Sequence, residues 1–138
     1  MNNKELYASN PLTGVKLEQV VIELVDQYGW EILHAYLQLN CLKTNPSIES
    51  TVKFLKKTVW AQEKVENFYL YRLKNLPKPD DVQYELPPRD RIIPEGQVPG
   101  TPCELSFTDA KRIQEKKAAK DRARTRKQRS TPQNPWGN

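Results

Sequence analysis

One histidine, two cysteines and five glycines leave this chain short of the groups that catalysis and metal binding require. His34 falls in the middle of a helical pattern, which suits a packed or surface residue better than a general base. Cys41 and Cys103 lie in different regions and form no metal-ligand spacing, so neither a zinc site nor a disulfide framework is expected, and a reducing cytoplasm fits best. The glycines (Gly14, Gly29, Gly96, Gly100 and Gly137) are scattered and build no phosphate-cradling loop. No run of about 18 apolar residues exists, so no membrane-spanning helix is expected. The first residues show no basic segment followed by an apolar stretch, so no secretory signal is expected. Acids such as Glu63 and Glu66 read as solvated charges and not as a catalytic dyad. The expectation is a protein without catalysis, cofactor, metal, small-molecule substrate or membrane contact.

Charge is present and unevenly placed. Residues 1–76 hold nine Lys and Arg against eight Asp and Glu, residues 77–110 hold three against seven, and residues 111–138 hold ten against two. Prolines are uneven as well, with Pro77, Pro79, Pro87, Pro88, Pro94, Pro99 and Pro102 making seven of the eleven. Proline removes a backbone donor and disfavours helix at the residue before it. The pattern divides the chain into a core (1–76), a Pro-rich acidic linker (77–107) and a basic arm, helical or disordered (108–138). Within the linker, Val82-Gln83-Tyr84 and Ile92-Ile93 are short apolar pieces able to lie against the core.

The core reads as helix throughout. Leu17, Val20, Val21, Leu24, Val25 and Tyr28 recur on one arc of a first helix, with Ile22 alone on its polar side. Gly29 supplies the residue best able to adopt the left-handed conformation that ends a helix. A second helix follows from Trp30 to about Leu39, with Trp30 stapling it to the first. Asn45 as N-cap and Pro46 at the first helical position open a third, to about Lys57, with Ile48, Val52 and Leu55 inward. Thr58 can cap a fourth that runs to about Lys74, with Ala61, Val65, Phe68 and Tyr69 inward. The expected fold is therefore all-α: a compact four-helix core, an extended Pro-rich linker and a solvent-exposed basic helix. Ser106 and Asp109 form a capping pattern for that last helix, which carries no continuous apolar stripe. Trp136, near the end of the sequence, reads as solvent-exposed.

The punctuation of the core is also distinctive. Asn10-Pro11-Leu12-Thr13-Gly14, Gly29-Trp30-Glu31, Asn45-Pro46-Ser47-Ile48 and Lys53-Phe54-Leu55-Lys56-Lys57-Thr58-Val59-Trp60-Ala61 follow one another with little intervening loop. This string resembles a small bacterial four-helix DNA-binding family first seen as a Vibrio domain of unknown function. The resemblance covers about half the chain. It implies a four-helix fold similar to other nucleic-acid-binding modules and no catalytic residues. Two positions depart from the family pattern: Val59 stands where members carry proline, and Lys16 where they often carry threonine. Both weaken helix-start signals without altering the apolar pattern.

Three groups of residues are candidates for polyanion contact. Lys53 and Lys57 lie opposite the Ile48/Val52/Leu55 face on a helical wheel, Lys56 flanks them, and Lys43 lies in the preceding loop; the alternative is an ordinary solvated helix face. Trp60, Lys64, Asn67 and Tyr71 share one stripe, which suits base stacking and phosphate contact. The same stripe also suits two aromatics covering the core edge with Lys64 snorkelling between them. In the arm, Lys111, Arg112, Lys116, Lys117, Lys120, Arg122, Arg124, Arg126, Lys127 and Arg129 face only Glu115 and Asp121, a strong positive field whether helical or extended. Such an arm neutralises phosphates without reading bases. The function expected is non-catalytic binding of nucleic acid, duplex DNA first, with a nucleoid-associated location. RNA or ribosome association is a variant of it. A protein–protein adaptor, using the Ile22 edge, the acidic linker and the arm, is the alternative.

Overall fold

The computed structural model describes residues 9–94 and 96–130, with side chains of the last helix described through Thr125. All regular structure among the described residues is helical. The chain forms two compact units, one ending at Leu105 and the other starting at Ser106.

In the first unit, α1 spans Leu17–Leu37 and contains both of the first two expected helices. They meet at Gly29, whose φ of 82° and ψ of 162° break the helical path, a conformation that a side chain would strain. Leu17, Val20, Val21 and Leu24 bury one face before this kink, and Leu33, Tyr36 and Leu37 bury the face after it. Trp30, just past the kink, is half-buried. α1 ends where Gln38 turns left-handed (φ 57°), its N–H donating to the His34 carbonyl. A 3-10 turn, Asn40–Leu42, then seats Leu39 and Leu42 in the core.

α2 covers Ile48–Lys57, two residues later than Asn45-Pro46 suggests. Asn45 instead takes a left-handed turn (φ 44°), which asparagine tolerates, and Ser47 is the N-cap, accepting from the Ser50 N–H at 3.1 Å. The inward face of α2 is also rotated from the one expected. Thr51 and Leu55 are buried, whereas Ile48 and Val52 are only half-buried. Thr58 alone separates α2 from α3 (Val59–Phe68); it occupies the N-cap position without a side-chain bond. α3 runs straight into a π-helical turn, Tyr69–Leu73, which buries Tyr69, Leu70 and Leu73. Tyr28 and Tyr36 of α1 pack on Phe68 with ring centroids 6.0 and 5.8 Å apart. The Tyr69 hydroxyl donates to Glu23 at 3.0 Å, and burial together with that carboxylate holds its pKa well above the usual phenol range.

The proline-rich stretch does not behave as a spacer. It begins with a short helix, α4 (Asp81–Tyr84), capped by Asp80, and a 3-10 turn, Pro88–Asp90. Pro88, Arg91 and Ile93 are buried, while Val82 and Tyr84 stay exposed. Later in the segment, the N–H groups of Gly100 and Cys103 donate to the carbonyls of Lys74 and Arg72, each at 2.8 Å. These carbonyls close the π turn and have no helical N–H ahead of them, so the segment satisfies groups that every helix end leaves open. Repeated proline prevents helix, but the peptide carbonyls and the flanking arginines still bond to the core.

Arg91 is the tightest of these ties. Its Nε donates to the Leu86 carbonyl at 3.0 Å, and its Nη2 to the Tyr84 carbonyl at 3.0 Å. Its Nη1 donates to Asn67 and to the Tyr71 hydroxyl. The guanidinium also lies over the rings of Tyr71 and Tyr84, at 5.7 and 5.5 Å. Two residues earlier, Arg89 pairs with buried Glu66 and donates to the Leu12 carbonyl at 2.8 Å. Asn10 joins from the other end of the unit: its amide donates to the carbonyls of Pro88 and Arg91, both at 2.9 Å, and its Oδ1 accepts from Leu12 N–H.

The second unit is α5, Phe107–Ser130. Ser106 caps it, its hydroxyl accepting from the Asp109 N–H at 3.1 Å, and Asp109 pairs with Arg112 one turn on. Trp136 lies outside the described residues.

Because Arg91 spans four acceptors, a lysine there keeps the charge but cannot keep the fork. Arg91→Lys is expected to lower unfolding stability by about 2 kcal/mol or more, since buried acceptors lose their donors. Chemical denaturation measures this, and a loss within about 0.5 kcal/mol, the range of ordinary surface changes, would contradict it. Ending the chain after Leu76 should likewise destabilise the helices of the first unit.

Candidate nucleic-acid interface

The lysines of α2 are where an interface is easiest to build. A helix that buries only Thr51 and Leu55 leaves most of its circumference to solvent, and Lys53, Lys56 and Lys57 are all exposed on it. Lys43 is exposed in the turn after the 3-10 segment. Lys53, expected opposite Ile48 and Val52, and Lys56, expected at their flank, both share a groove with them. All four line one open groove beside α2, with Glu18 of α1 and Glu49 completing it. The difference follows from the rotated inward face: with Thr51 at its centre, Val52 moves to the rim.

α3 starts immediately after these lysines and presents Val59 and Trp60, 66% and 63% exposed. Trp60 is therefore not part of the core. The single extended residue Thr58 accounts for this, since it sets the first turn of α3 at a new angle and the burial of that turn falls on Ala61. Lys64, half-buried, follows one turn later. The remaining members of the expected stripe are engaged elsewhere. Asn67 and Tyr71 accept from Arg91, so the stripe divides into an exposed Trp60 with half-buried Lys64 and a half that holds the fold together. Nothing near the stripe in sequence foretells this, because Arg91 lies 20 residues beyond Tyr71.

On α5, Lys111, Arg112, Lys116, Lys117, Lys120, Arg122 and Arg124 are exposed. Of these, Arg112 pairs with an acid of its own helix, Asp109. The side chains of Arg126, Lys127 and Arg129 lie outside the described residues. Helical spacing spreads these cations around much of the axis, while near the start of the helix Ala110 is buried and Ile113 and Gln114 are half-buried.

Among the described residues no cluster of three or more His, Cys, Asp or Glu side chains is placed to hold a metal, and no helix is long and apolar enough to cross a membrane. Burial pushes the Cys41 thiol up, away from the thiolate form that a nucleophile needs. His34 is half-buried on α1.

Residues 8–70 match the model of the family described as DNA-binding protein VF530. Over that segment the helical core is similar to the family. The match runs from just before Asn10 into the π turn, so it takes in all four of the distinctive motifs and the whole of α2 and α3. No curated protein matches the chain. Asn10, Glu66 and Asn67 lie within the matched segment, whereas the arginines that bond Glu66 and Asn67 lie beyond it.

Trp60 offers a direct check on the exposure of α3. Trp60→Ala should cost no more than about 0.5 kcal/mol by chemical denaturation, as at other surface positions. A loss of about 3 kcal/mol or more, the range for a buried tryptophan, would return Trp60 to the core.

Proposed function

We propose that this protein binds duplex DNA without catalysing a reaction on it. The observation that carries the proposal is the α2–α3 surface, where Lys53, Lys56 and Lys57 are followed at once by an exposed Trp60 within a segment of the VF530 DNA-binding family. Lys43 and Lys64 extend the same candidate surface, and the basic helix α5, with Arg126, Lys127 and Arg129 at its end, adds phosphate contacts that read no sequence. Lysine ammonium groups neutralise phosphates as point charges and release condensed counterions, so binding of this type is broad and falls with salt. Trp60 supplies a ring face on which an unstacked base can rest. RNA is a variant of the same reading, because these contacts recognise phosphate and a ring face.

A second reading has its own support. Val82, Tyr84 and Leu86 are exposed on and after α4, among Asp80, Asp81 and Glu85. An apolar patch set among acids suits a protein partner with a basic rim, which makes this segment the adaptor surface if the protein has one.

Two variants test the first reading. Ending the chain after Ser106 should leave the helices up to Leu105 folded, since the two units are compact separately. It should also weaken duplex binding and flatten its salt dependence, by about 0.9 in log–log slope for each phosphate no longer neutralised. In that shortened chain, replacing Lys53, Lys56 and Lys57 by glutamine should weaken duplex binding further and equally for all sequences. Circular dichroism checks the fold and fluorescence anisotropy at two salt concentrations checks the binding. Unchanged duplex affinity in the triple variant would remove α2 from the interface and favour the adaptor.

A further inference from the structure

The groove beside α2 continues past Val52 and Lys56 to a second end, lined by Lys16, Glu18, Val52, Lys56, Gln62 and Arg89 among others. Three separate segments each bring a cation to it: Lys16 precedes α1, Lys56 belongs to α2, and Arg89 to the 3-10 turn of the proline-rich segment. Glu18 is the single acid among its lining residues. The first half of the groove, by contrast, balances Lys53 and Lys56 with Glu18 and Glu49.

A buried carboxylate behind this end separates it from an ordinary lysine-rich surface. Glu66 is 2% exposed and accepts from Arg89 Nε and from the Gln62 amide, the latter at 3.5 Å. Arg89 Nη1 donates to the Leu12 carbonyl. Two of the three guanidinium nitrogens are thus anchored, while Nη2 takes part in neither bond and the side chain remains about one-third exposed. An arginine already held in place gives up little conformational freedom when it binds an anion, and its planar fork matches the oxygens of a phosphate. Lys16 is the N-cap of α1 and provides no side-chain cap, so the N–H groups of the first turn add their favourable dipole to the same end of the groove. The groove is open along its length and leads to Lys53, which suits a polymer backbone and not an enclosed small molecule.

We infer that this end of the groove seats a phosphodiester of the DNA backbone, held by Lys16, Lys56 and Arg89, with Glu66 as the positioning residue that orients Arg89. The inference rests on the DNA-binding reading above and adds Lys16 and Arg89 to the surface. Arg89 lies beyond residues 8–70, so the proline-rich segment contributes a contact that the family core does not contain.

The test uses the full chain and three variants: Lys16→Gln, Arg89→Lys and, outside this end of the groove, Lys57→Gln. Lys16 is exposed and makes no side-chain bond among the described residues, so its substitution should leave the melting temperature unchanged. Inorganic phosphate, followed by nuclear magnetic resonance, should shift the amides of Leu17 and Glu18 and the side-chain amide of Gln62 saturably, and Lys16→Gln should weaken that response. With duplex DNA, Lys16→Gln should lower affinity several-fold and reduce the salt slope by about 0.9. Arg89→Lys, which keeps the charge and loses the fork, should lower affinity while leaving the slope nearly as it was. If Lys57→Gln weakens duplex binding while Lys16→Gln and Arg89→Lys leave it unchanged, the groove is not a phosphate seat and the DNA-binding reading stands without it. If the unmodified chain binds no duplex at low salt, both fall together.

Discussion

The first unit depends on two arginines of the proline-rich segment that meet polar groups inside the helical core. Glu66 and Asn67 sit side by side on α3, and Glu66 is almost wholly buried. A buried carboxylate without a donor costs several kcal/mol, and Arg89 supplies Glu66 with its charged donor, beside a longer bond from Gln62. Arg91 poses the reverse problem: it is 3% exposed and its partners are all neutral. Four hydrogen bonds and two tyrosine ring faces compensate the loss of water around it, and arginine cannot relieve the cost by giving up its proton. Asn10 then joins the arrangement from the N-terminal side, so that the turn before α1, the 3-10 turn and α3 meet at one buried polar junction.

This junction sorts the cations of the core into two sets with different uses. Arg89 and Arg91 are fixed by fold contacts, whereas Lys43, Lys53, Lys56 and Lys57 stand in solvent on or near α2. The split follows from side-chain chemistry. A guanidinium with five donors in a plane can satisfy several carbonyls at once, and a lysine ammonium on a flexible stem is better kept hydrated. An overall charge of +5 says nothing about this division, because the fixed and the solvated cations contribute equally to it.

The helical core is legible in the sequence wherever the signal is local. Gly29 marks the break inside α1, Thr58 marks the boundary between α2 and α3, and the Ser106–Asp109 pattern marks the start of α5. The start of α2 falls two residues later than Asn45-Pro46 suggests because Asn45 turns left-handed and the Ser47 hydroxyl caps the Ser50 N–H. The exposure of Trp60 is not legible from composition, which favours burying a large aromatic in a small core. It depends on the angle that one extended residue gives to α3. Residues 77–105 depart furthest from expectation. Their seven prolines correctly exclude long helices but carry no information about what the remaining carbonyls and arginines bond. Pairings such as Arg91 with Asn67 or Asn10 with Pro88 join residues 24 and 78 positions apart, and no spacing rule reaches that far.

The same junction explains why a segment outside the family match bears on function. α3 has one flank closed by Arg91, Asn67 and Tyr71 and its first turn left open at Val59 and Trp60. By taking up Asn67 and Tyr71, the proline-rich segment removes them from any ligand-binding stripe. That leaves the first turn of α3, together with α2, as the part of this helix pair open to a ligand. The segment therefore narrows the candidate surface as it stabilises the fold, and at Arg89 it adds a cation beside the surface that remains. A helical core that ended at the π turn would have no arginine at that place, and its Glu66 would require a different donor or a different side chain.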